Sequence, residues 1–510
     1  MIMNIKRIIL IAAWLLVVLS FITTQLTNDF FVFWAYGRFV ANSQLTGLAA
    51  LIETWELKGL LFKLYLYIEY ALTSQFSTLF DAYGQAVYKT FGILPYLLIL
   101  FLSIFLLPTK FIIRYRKIDI FFASSILLLA VHFASHFQAE MWGVLLLLLS
   151  FSIYLHDGWK SKVISAIVFS LTFYLKSPIP LLGGSLVATS VILKKQNVKK
   201  GLQDVIPFAL TTILFISASL SLVNIYLHQE IEDIWNASYY QHTLLHDSYI
   251  LNSFITLIFN FFSNLLYNPI VFIGSLAVLH LFIIFVKQKC FVKIIYLLLI
   301  WLFPLMYVLI SNCFFVYHYY LLSFSSLLTL LVFLNTKFTY RKVLFNTISI
   351  ILLGYYLFAL SSVSPTNIYY RNEYEKYSKM NMHKLGIYPG CSLGNQSIMF
   401  LDAGLGAFYF SNSSYLRYFY PLPLQRTSSS DEFAKSSLYQ KEKRKALLYG
   451  GDYITLDEKW FSRGNNEDIL KKIEREYELL EEISICTYPW TLFKKESGLG
   501  KLQIYKKIEM

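Results

Sequence analysis

Lys6-Arg7-Ile8-Ile9-Leu10-Ile11-Ala12-Ala13-Trp14-Leu15-Leu16-Val17-Val18-Leu19-Ser20-Phe21-Ile22-Thr23-Thr24-Gln25-Leu26-Thr27-Asn28-Asp29 sets the class of this chain. Two cations precede an uncharged stretch, as in a segment that inserts into a bilayer with its start on the cytoplasmic side. A secretory signal peptide has the same opening, but no small-residue cleavage site follows. The stretch therefore reads as an uncleaved signal anchor and a first helix over about 7–25. Asp29 stands just beyond its outer end.

The same pattern recurs along the 510 residues. Further apolar runs fall at about 91–107, 118–135, 139–155, 162–175, 178–193, 205–225, 269–286, 294–311, 319–334 and 343–361. Most are close to the ~20 residues that cross roughly 30 Å of hydrocarbon; the two around Lys176 are short and read as a tight hairpin. The chain is 56% hydrophobic and 15% charged, with a mean hydropathy of +0.54. The expected fold is thus a polytopic α-helical membrane protein with about eleven spans.

The net charge of +13 does not point to nucleic acid, because the cations sit in short loops. Lys6 and Arg7, Lys110 to Lys117, Lys160 and Lys162, Lys194 to Lys200, Lys287 to Lys293, and Lys337 to Lys342 place about 18 cations on one side. The short loops opposite hold only Lys176. The rich side is cytoplasmic, so an odd number of spans puts residues 362–510 outside.

Two outer loops are long. In 26–90, Leu48, Leu51, Ile52, Trp55, Leu61, Tyr65, Ile68 and Leu72 fall mostly at helical spacing, with Glu53, Glu56, Lys58, Lys63 and Glu69 between them. This predicts amphipathic helices in the membrane interface; a helix packed on the soluble domain is the other reading. The second loop, 226–268, carries His228, Glu230, Glu232, Asp233, Trp235, His242, His246 and Asp247. Its apolar stretch Ile250 to Leu266 is taken as interfacial, since a twelfth span would move later cationic loops outside.

From Ser362 the composition changes. The tail holds 21 of the 44 Lys/Arg and 18 of the 31 Asp/Glu. Strand-like runs occur at Ser397–Leu401, Asp452–Leu456 and Leu502–Tyr505, with a helix expected from about Glu467 to Glu482. That predicts a small α/β domain. Cys290 and Cys313 flank membrane segments and read as packing residues, whereas Cys391 and Cys486 could pair if the tail is extracytoplasmic. No Cys/His spacing resembles a zinc site.

Four places could carry chemistry, because ionisable groups at a membrane boundary are costly. Asp29 is the first, although an acid after a helix can simply be solvated. Glu140 is the second, in His132-Phe-Ala-Ser-His136-Phe-Gln-Ala-Glu140 at a tight outer turn. His132 and His136 share a helix face, but the spacing is not His-Glu-x-x-His, and a polar cluster lining a cavity competes with metal binding. Lys176 is the third, in Leu175-Lys176-Ser177-Pro178; it either snorkels to headgroups or meets a lipid phosphate. Tyr317-His318-Tyr319-Tyr320 is the fourth, either an aromatic belt or a phosphate or sugar contact.

Together, on this topology, these positions resemble the GT-C superfamily of glycosyltransferases, membrane enzymes that use polyprenyl-phosphate sugars. The nearest types are the bacterial relatives of protein O-mannosyltransferases and of lipid A aminoarabinose transferases. The resemblance implies that Asp29 is the acidic catalytic residue that follows helix 1 and that Glu140 is a second catalytic carboxylate. It implies that Lys176, in place of a Lys-Gly-Pro-like element, binds the donor phosphate with His318 and Tyr319. His136, Tyr320 and Asp247 would line the substrate site. It also matches interfacial helices in 26–90, a membrane domain over 1–361 and an extracytoplasmic domain over 362–510. Ser177 stands where Gly is common, and His318 where Arg is frequent. The segment Asp402 to Arg426 looks family-specific, with no role assigned beyond core or acceptor-side lip.

The implied function is transfer of a sugar from a polyprenyl-monophosphate donor to a cell-envelope glycan or lipid on the outer face, with inversion. No cofactor is called for, and a divalent cation is compatible. The implied partners are that donor, the glycan or lipid acceptor and membrane lipids, with no nucleic acid. Abundant Lys, Ile, Asn and Phe suggest an AT-rich bacterial genome, hence a bacterial cytoplasmic membrane with the N-terminus inside. The competing classes are a polymerase or ligase using diphosphate-linked glycans, a lipid-linked sugar flippase, and a non-catalytic protein of the same fold. The loop 226–268 has no Arg or Lys, which counts against the first, and no internal repeat supports the second.

Overall fold

A computed structural model describes residues 2–23, 28–42, 59–74, 82–112, 116–129, 138–176, 178–195, 198–227, 269–311, 320–336, 392–402, 406, 410, 412, 437–448, 450–457, 461, 466–486 and 499–508. The chain divides into two compact units. The first comprises 1–24, 89–226 and 251–363; the second comprises 25–88, 227–250 and 364–510. Residues 25–88 thus group with the tail.

The first unit is helical: α1 (Ile2–Thr23), most of α4 (Ala82–Phe105), α5 (Lys117–Leu129), α6 (Ala139–Tyr154), α7 (Trp159–Ser170), α8 (Gly183–Lys194), α9 (Val198–Leu227), α10 (Pro269–Lys287), α11 (Phe291–Ser311) and α12 (Leu322–Asn335). Helices therefore occupy the expected apolar runs from 7–25 to 319–334. Among the described residues, four stretches are long and apolar enough to cross a membrane: Ala86–Phe105, Lys199–Leu222, Ile270–Lys287 and Phe291–Val308. Arg7–Leu19, Ala139–Tyr154, Ile179–Lys194 and Leu322–Asn335 are shorter apolar helices. The expected run 343–361 lies outside the described residues.

Serines hold these helices together. Ser150 of α6 and Ser165 of α7 each donate to the other's backbone carbonyl, at 2.9 and 2.7 Å. Small hydroxyl residues allow such close approach between apolar helices. In α11, Pro304 has no N–H to give the carbonyl four residues earlier. That carbonyl belongs to Ile300, and it receives Ser185 Oγ from α8 at 2.8 Å and Ser325 Oγ from α12 at 2.6 Å. Two neighbouring helices thus satisfy the group that the proline frees, as an apolar environment requires.

Cations gather at the opposite helix ends. Lys162 Nζ donates to the carbonyl of Tyr154, at the C-terminus of α6, at 2.6 Å, where the helix dipole favours positive charge. Lys194 and Asp204 pair at 3.3 Å nearby.

In the second unit, α2 (Asn28–Asn42) packs on α3 (Leu60–Thr73). A Cβ at Gly37 would lie 2.6 Å from the Leu66 carbonyl oxygen and 2.6 Å from Tyr70 Cβ, so only glycine permits this crossing. Phe33 meets Phe62, and Trp34 meets Tyr70, edge to face. On α3 polar residues share the buried face with Phe62 and Leu66. Lys63, Glu69 and Thr73 are buried, while Leu64, Tyr67, Ile68 and Leu72 are exposed. An outward apolar face suits lipid better than water.

The tail forms a four-stranded sheet in the order β1-β2-β4-β3. β1 (Ile398–Leu401) runs parallel to β2 (Tyr453–Leu456), with α13 (Ser437–Leu448) between them in the chain. β4 (Leu499–Lys507) is antiparallel to β2 and to β3 (Tyr477–Cys486). Met399, Leu401, Ile454 and Leu456 join Ala446, Ile469 and Ile473 in one apolar core.

One boundary corrects the sequence reading. The helix expected from Glu467 to Glu482 is α14, which ends at Glu476, and the chain turns directly into β3. Ile469, Lys472 and Ile473 are buried at helical spacing, but from Tyr477 the chain pairs with β4, with an irregularity at Leu479/Glu481. Pairing with a strand more than ten residues away overrides the helical propensity of Glu and Leu.

Candidate functional site

Glu140 lies in the first turn of α6, after Gln138 in an extended conformation. A carboxylate there is favoured by the positive end of the helix dipole. Lys176 lies just beyond α7, where its backbone N–H donates to Thr172 and its carbonyl accepts from Ile179. The short turn Ile179–Leu182 then leads into α8. This connection brings Lys176 Nζ to 2.6 Å from Glu140 Oε1. Tyr307 of α11 donates its hydroxyl to the same oxygen at 2.8 Å, and its ring centre lies 5.5 Å from Lys176 Nζ. The Glu140 side chain is fully buried, and that of Lys176 is 10% exposed.

A buried ion pair is weak evidence for stability, since desolvating both charges offsets their attraction. Among helices this apolar, it is better evidence for use. The pair sits at the ends of α6 and α7 away from Lys162 and Lys194. Tyr320, ahead of α12, is also buried, with its hydroxyl 2.8 Å from that of Tyr96 and 3.3 Å from the Leu128 carbonyl. Tyr96 meets Trp142 edge to face at 6.0 Å.

The sequence treated Glu140 and Lys176 as separate positions with separate roles; the structure makes them partners. It adds Tyr307, which the sequence reading missed. Nothing in the sequence singles out Tyr307 among the aromatic residues of α11. Asp29 falls in the first turn of α2, in the second unit. His132, His136, Asp247, His318, Tyr319 and Ser177 lie outside the described residues, as does Cys391. Among the described residues no group of three or more His, Cys, Asp or Glu could hold a metal.

Among its described residues, the second unit holds buried polar groups of its own. Glu69 accepts the Tyr65 hydroxyl at 2.6 Å and the Tyr88 hydroxyl at 2.7 Å. Burial pushes its carboxyl up to about 8, and the two hydroxyls oppose that shift only in part. Tyr65 and Glu69 are four residues apart on one helix, so the spacing alone could have paired them. Arg38 of α2 donates to the carbonyl of Phe410 at 3.0 Å and stacks on Trp34 at 5.1 Å. In the tail, buried Asp402 accepts the Gly406 N–H at 2.9 Å and the Thr455 hydroxyl at 2.5 Å. A Cβ at Gly406 would lie 2.4 Å from Asp402 Oδ2. Asp402 thus ties Gly406 to Thr455 of β2.

No protein-family model and no curated protein matches the sequence. Among solved structures, the chain is similar to an Archaeoglobus fulgidus oligosaccharyltransferase crystallised with Zn and sulfate. Identity is 13% and the TM-score is 0.41, over 88% of this chain and 67% of that one. A likeness at that level establishes neither this chain's fold nor its activity.

Proposed function

We propose that this chain is a membrane glycosyltransferase of the GT-C type. It moves a sugar from a polyprenyl-monophosphate donor to a cell-envelope glycan or lipid on the outer face of a bacterial cytoplasmic membrane. The observation that carries the reading is the buried Lys176–Glu140–Tyr307 constellation, at the helix ends opposite the cationic loops. A cation held at that depth suits the phosphate of a lipid whose chain runs among the helices.

In this reading the acceptor hydroxyl attacks the anomeric carbon as its bond to the phosphate oxygen breaks. The proton goes to Asp29, and the electron pair leaves with the lipid phosphate. Lys176 neutralises the charge that grows there, in a dry site where such contacts count most. His318 and Tyr319 assist at the phosphate, and His136, Tyr320 and Asp247 line the approach. Displacement in one step inverts the anomeric centre.

The test is transfer by the purified protein from radiolabelled polyprenyl-monophosphate sugars to crude envelope acceptors, with Asp29→Asn as the comparison. Transfer that depends on Asp29 supports the reading. Equal turnover by Asp29→Asn removes the general-base role, and no transfer from any donor despite equal lipid binding points to a flippase or a non-catalytic protein.

A further inference from the structure

We infer that Glu140 and the phosphate of the lipid ligand compete for the Lys176 ammonium, so that the phosphate binds by displacing an internal carboxylate. The inference rests on the reading of Lys176 as the lipid-phosphate ligand and deepens it. The two charges stand 2.6 Å apart, with Glu140 fully buried and the small exposed surface belonging to Lys176. An arriving phosphodiester therefore meets a neutral pair. It brings a further anion to the Lys176 ammonium in a place of low dielectric, where like charges repel strongly.

The two partners are unequally fixed. Glu140 stands on α6, whereas Lys176 stands on the turn that follows α7 and has a flexible four-carbon stem. The ammonium is the group that turns. Tyr307 makes the exchange tolerable on both sides. Its hydroxyl bonds the same Oε1 that the ammonium bonds, so the carboxylate keeps a donor when Lys176 swings away. Its ring, 5.5 Å from Nζ, attracts the cation through the ring face without occupying a donor. Tyr307 is thus a positioning residue that retains Glu140 while Lys176 changes partner. The arrangement favours a strong anion tethered to a lipid, because a weak ligand does not offset the loss of the internal pair.

The experiment titrates the full-length protein in lipid nanodiscs with polyprenyl monophosphate carrying no sugar, in parallel with polyprenol and with inorganic phosphate. Glu140→Gln keeps an oxygen for Tyr307 and removes the competing charge. It is expected to bind polyprenyl monophosphate about tenfold tighter than wild type, a difference of about 1.4 kcal/mol. Lys176→Gln is expected to bind it at least about tenfold more weakly. The double variant should match Lys176→Gln, because no ammonium remains to be released.

Glu140→Gln binding equal to or weaker than wild type, with Lys176→Gln still impaired, overturns the competition and leaves the donor site standing. Lys176→Gln binding like wild type removes the donor site itself. The same gain with polyprenol, or a gain with inorganic phosphate alone, also overturns the inference. If Glu140→Gln does not fold, Tyr307→Phe serves instead. It removes the donor that keeps Glu140 satisfied when Lys176 leaves and should weaken binding of polyprenyl monophosphate about threefold; equal or tighter binding counts against the exchange.

Discussion

Replacing Lys176 by Met removes the ammonium but keeps most of the stem, and so isolates the charge. At the observed 2.6 Å, an effective dielectric of about 20 gives an attraction of about 6 kcal/mol. Desolvation of two buried ions offsets part of it. Removing one partner alone leaves an uncompensated charge, at a cost of about 3–5 kcal/mol. Lys176→Met and Glu140→Gln should each destabilise the protein by that order. The double variant, which buries no charge at this place, should lose only about 1–2 kcal/mol. The coupling between the two sites is then about 4 kcal/mol or more. Reversible unfolding of the purified chain in mixed detergent micelles, for all four proteins of the cycle, measures it. Effects that add to within about 0.5 kcal/mol would refute the reasoning: the two groups would then not be an ion pair in the folded protein.

Other expectations can be checked separately. Asp29→Asn should lower transfer by about 10²–10⁴-fold with donor affinity unchanged, as read by single-turnover kinetics and lipid binding on the same preparation. Glu69 binds a proton more readily in the folded chain than when unfolded, its carboxyl moving from the ordinary 4.5 to about 8. Its contribution to stability is fully present below pH 4.5 and is lost as the pH rises to about 8. Glu69→Gln should flatten that slope in denaturation curves recorded between those limits, and an unchanged slope would assign it to other groups. Arg38→Ala removes a charged donor from the Phe410 carbonyl and should destabilise the second unit by about 1.5–3 kcal/mol. Limited proteolysis should then cut residues 392–412 faster, whereas wild-type cleavage rates would mean that the bond does not hold the tail.

Much of the helical layout was legible because apolar run length and loop charge are strong signals. α6, for example, begins and ends within a residue of the run read from the sequence. β1 was legible for a related reason. Its four residues are all buried, and a fully buried strand reads as a continuous apolar run. β3 was not legible, because Glu478, Glu481 and Glu482 continue the composition of the helix before them, and only pairing with β4 makes them strand. The burial of Lys63 and Glu69 on α3 was hidden for a similar reason. Charges between apolar residues mark a helix, but they do not say which face meets protein. At the candidate site, Glu140 and Lys176 stood out as expensive ions. Their contact spans 36 residues, and the one with Tyr307 spans 167; separations of that kind leave no local pattern.

The bond from Arg38 to Phe410 joins residues 372 positions apart. A ribosome adding about 5–20 residues per second takes roughly 20–75 s to make the chain between them. Throughout that interval α2 has left the ribosome while its partner does not yet exist, and its guanidinium has to be kept in water, on lipid headgroups or against a chaperone. The second unit therefore completes itself only after release of nearly the whole polypeptide. A nascent chain stalled before Phe410 should leave α2 open to an added protease to which the finished protein is resistant.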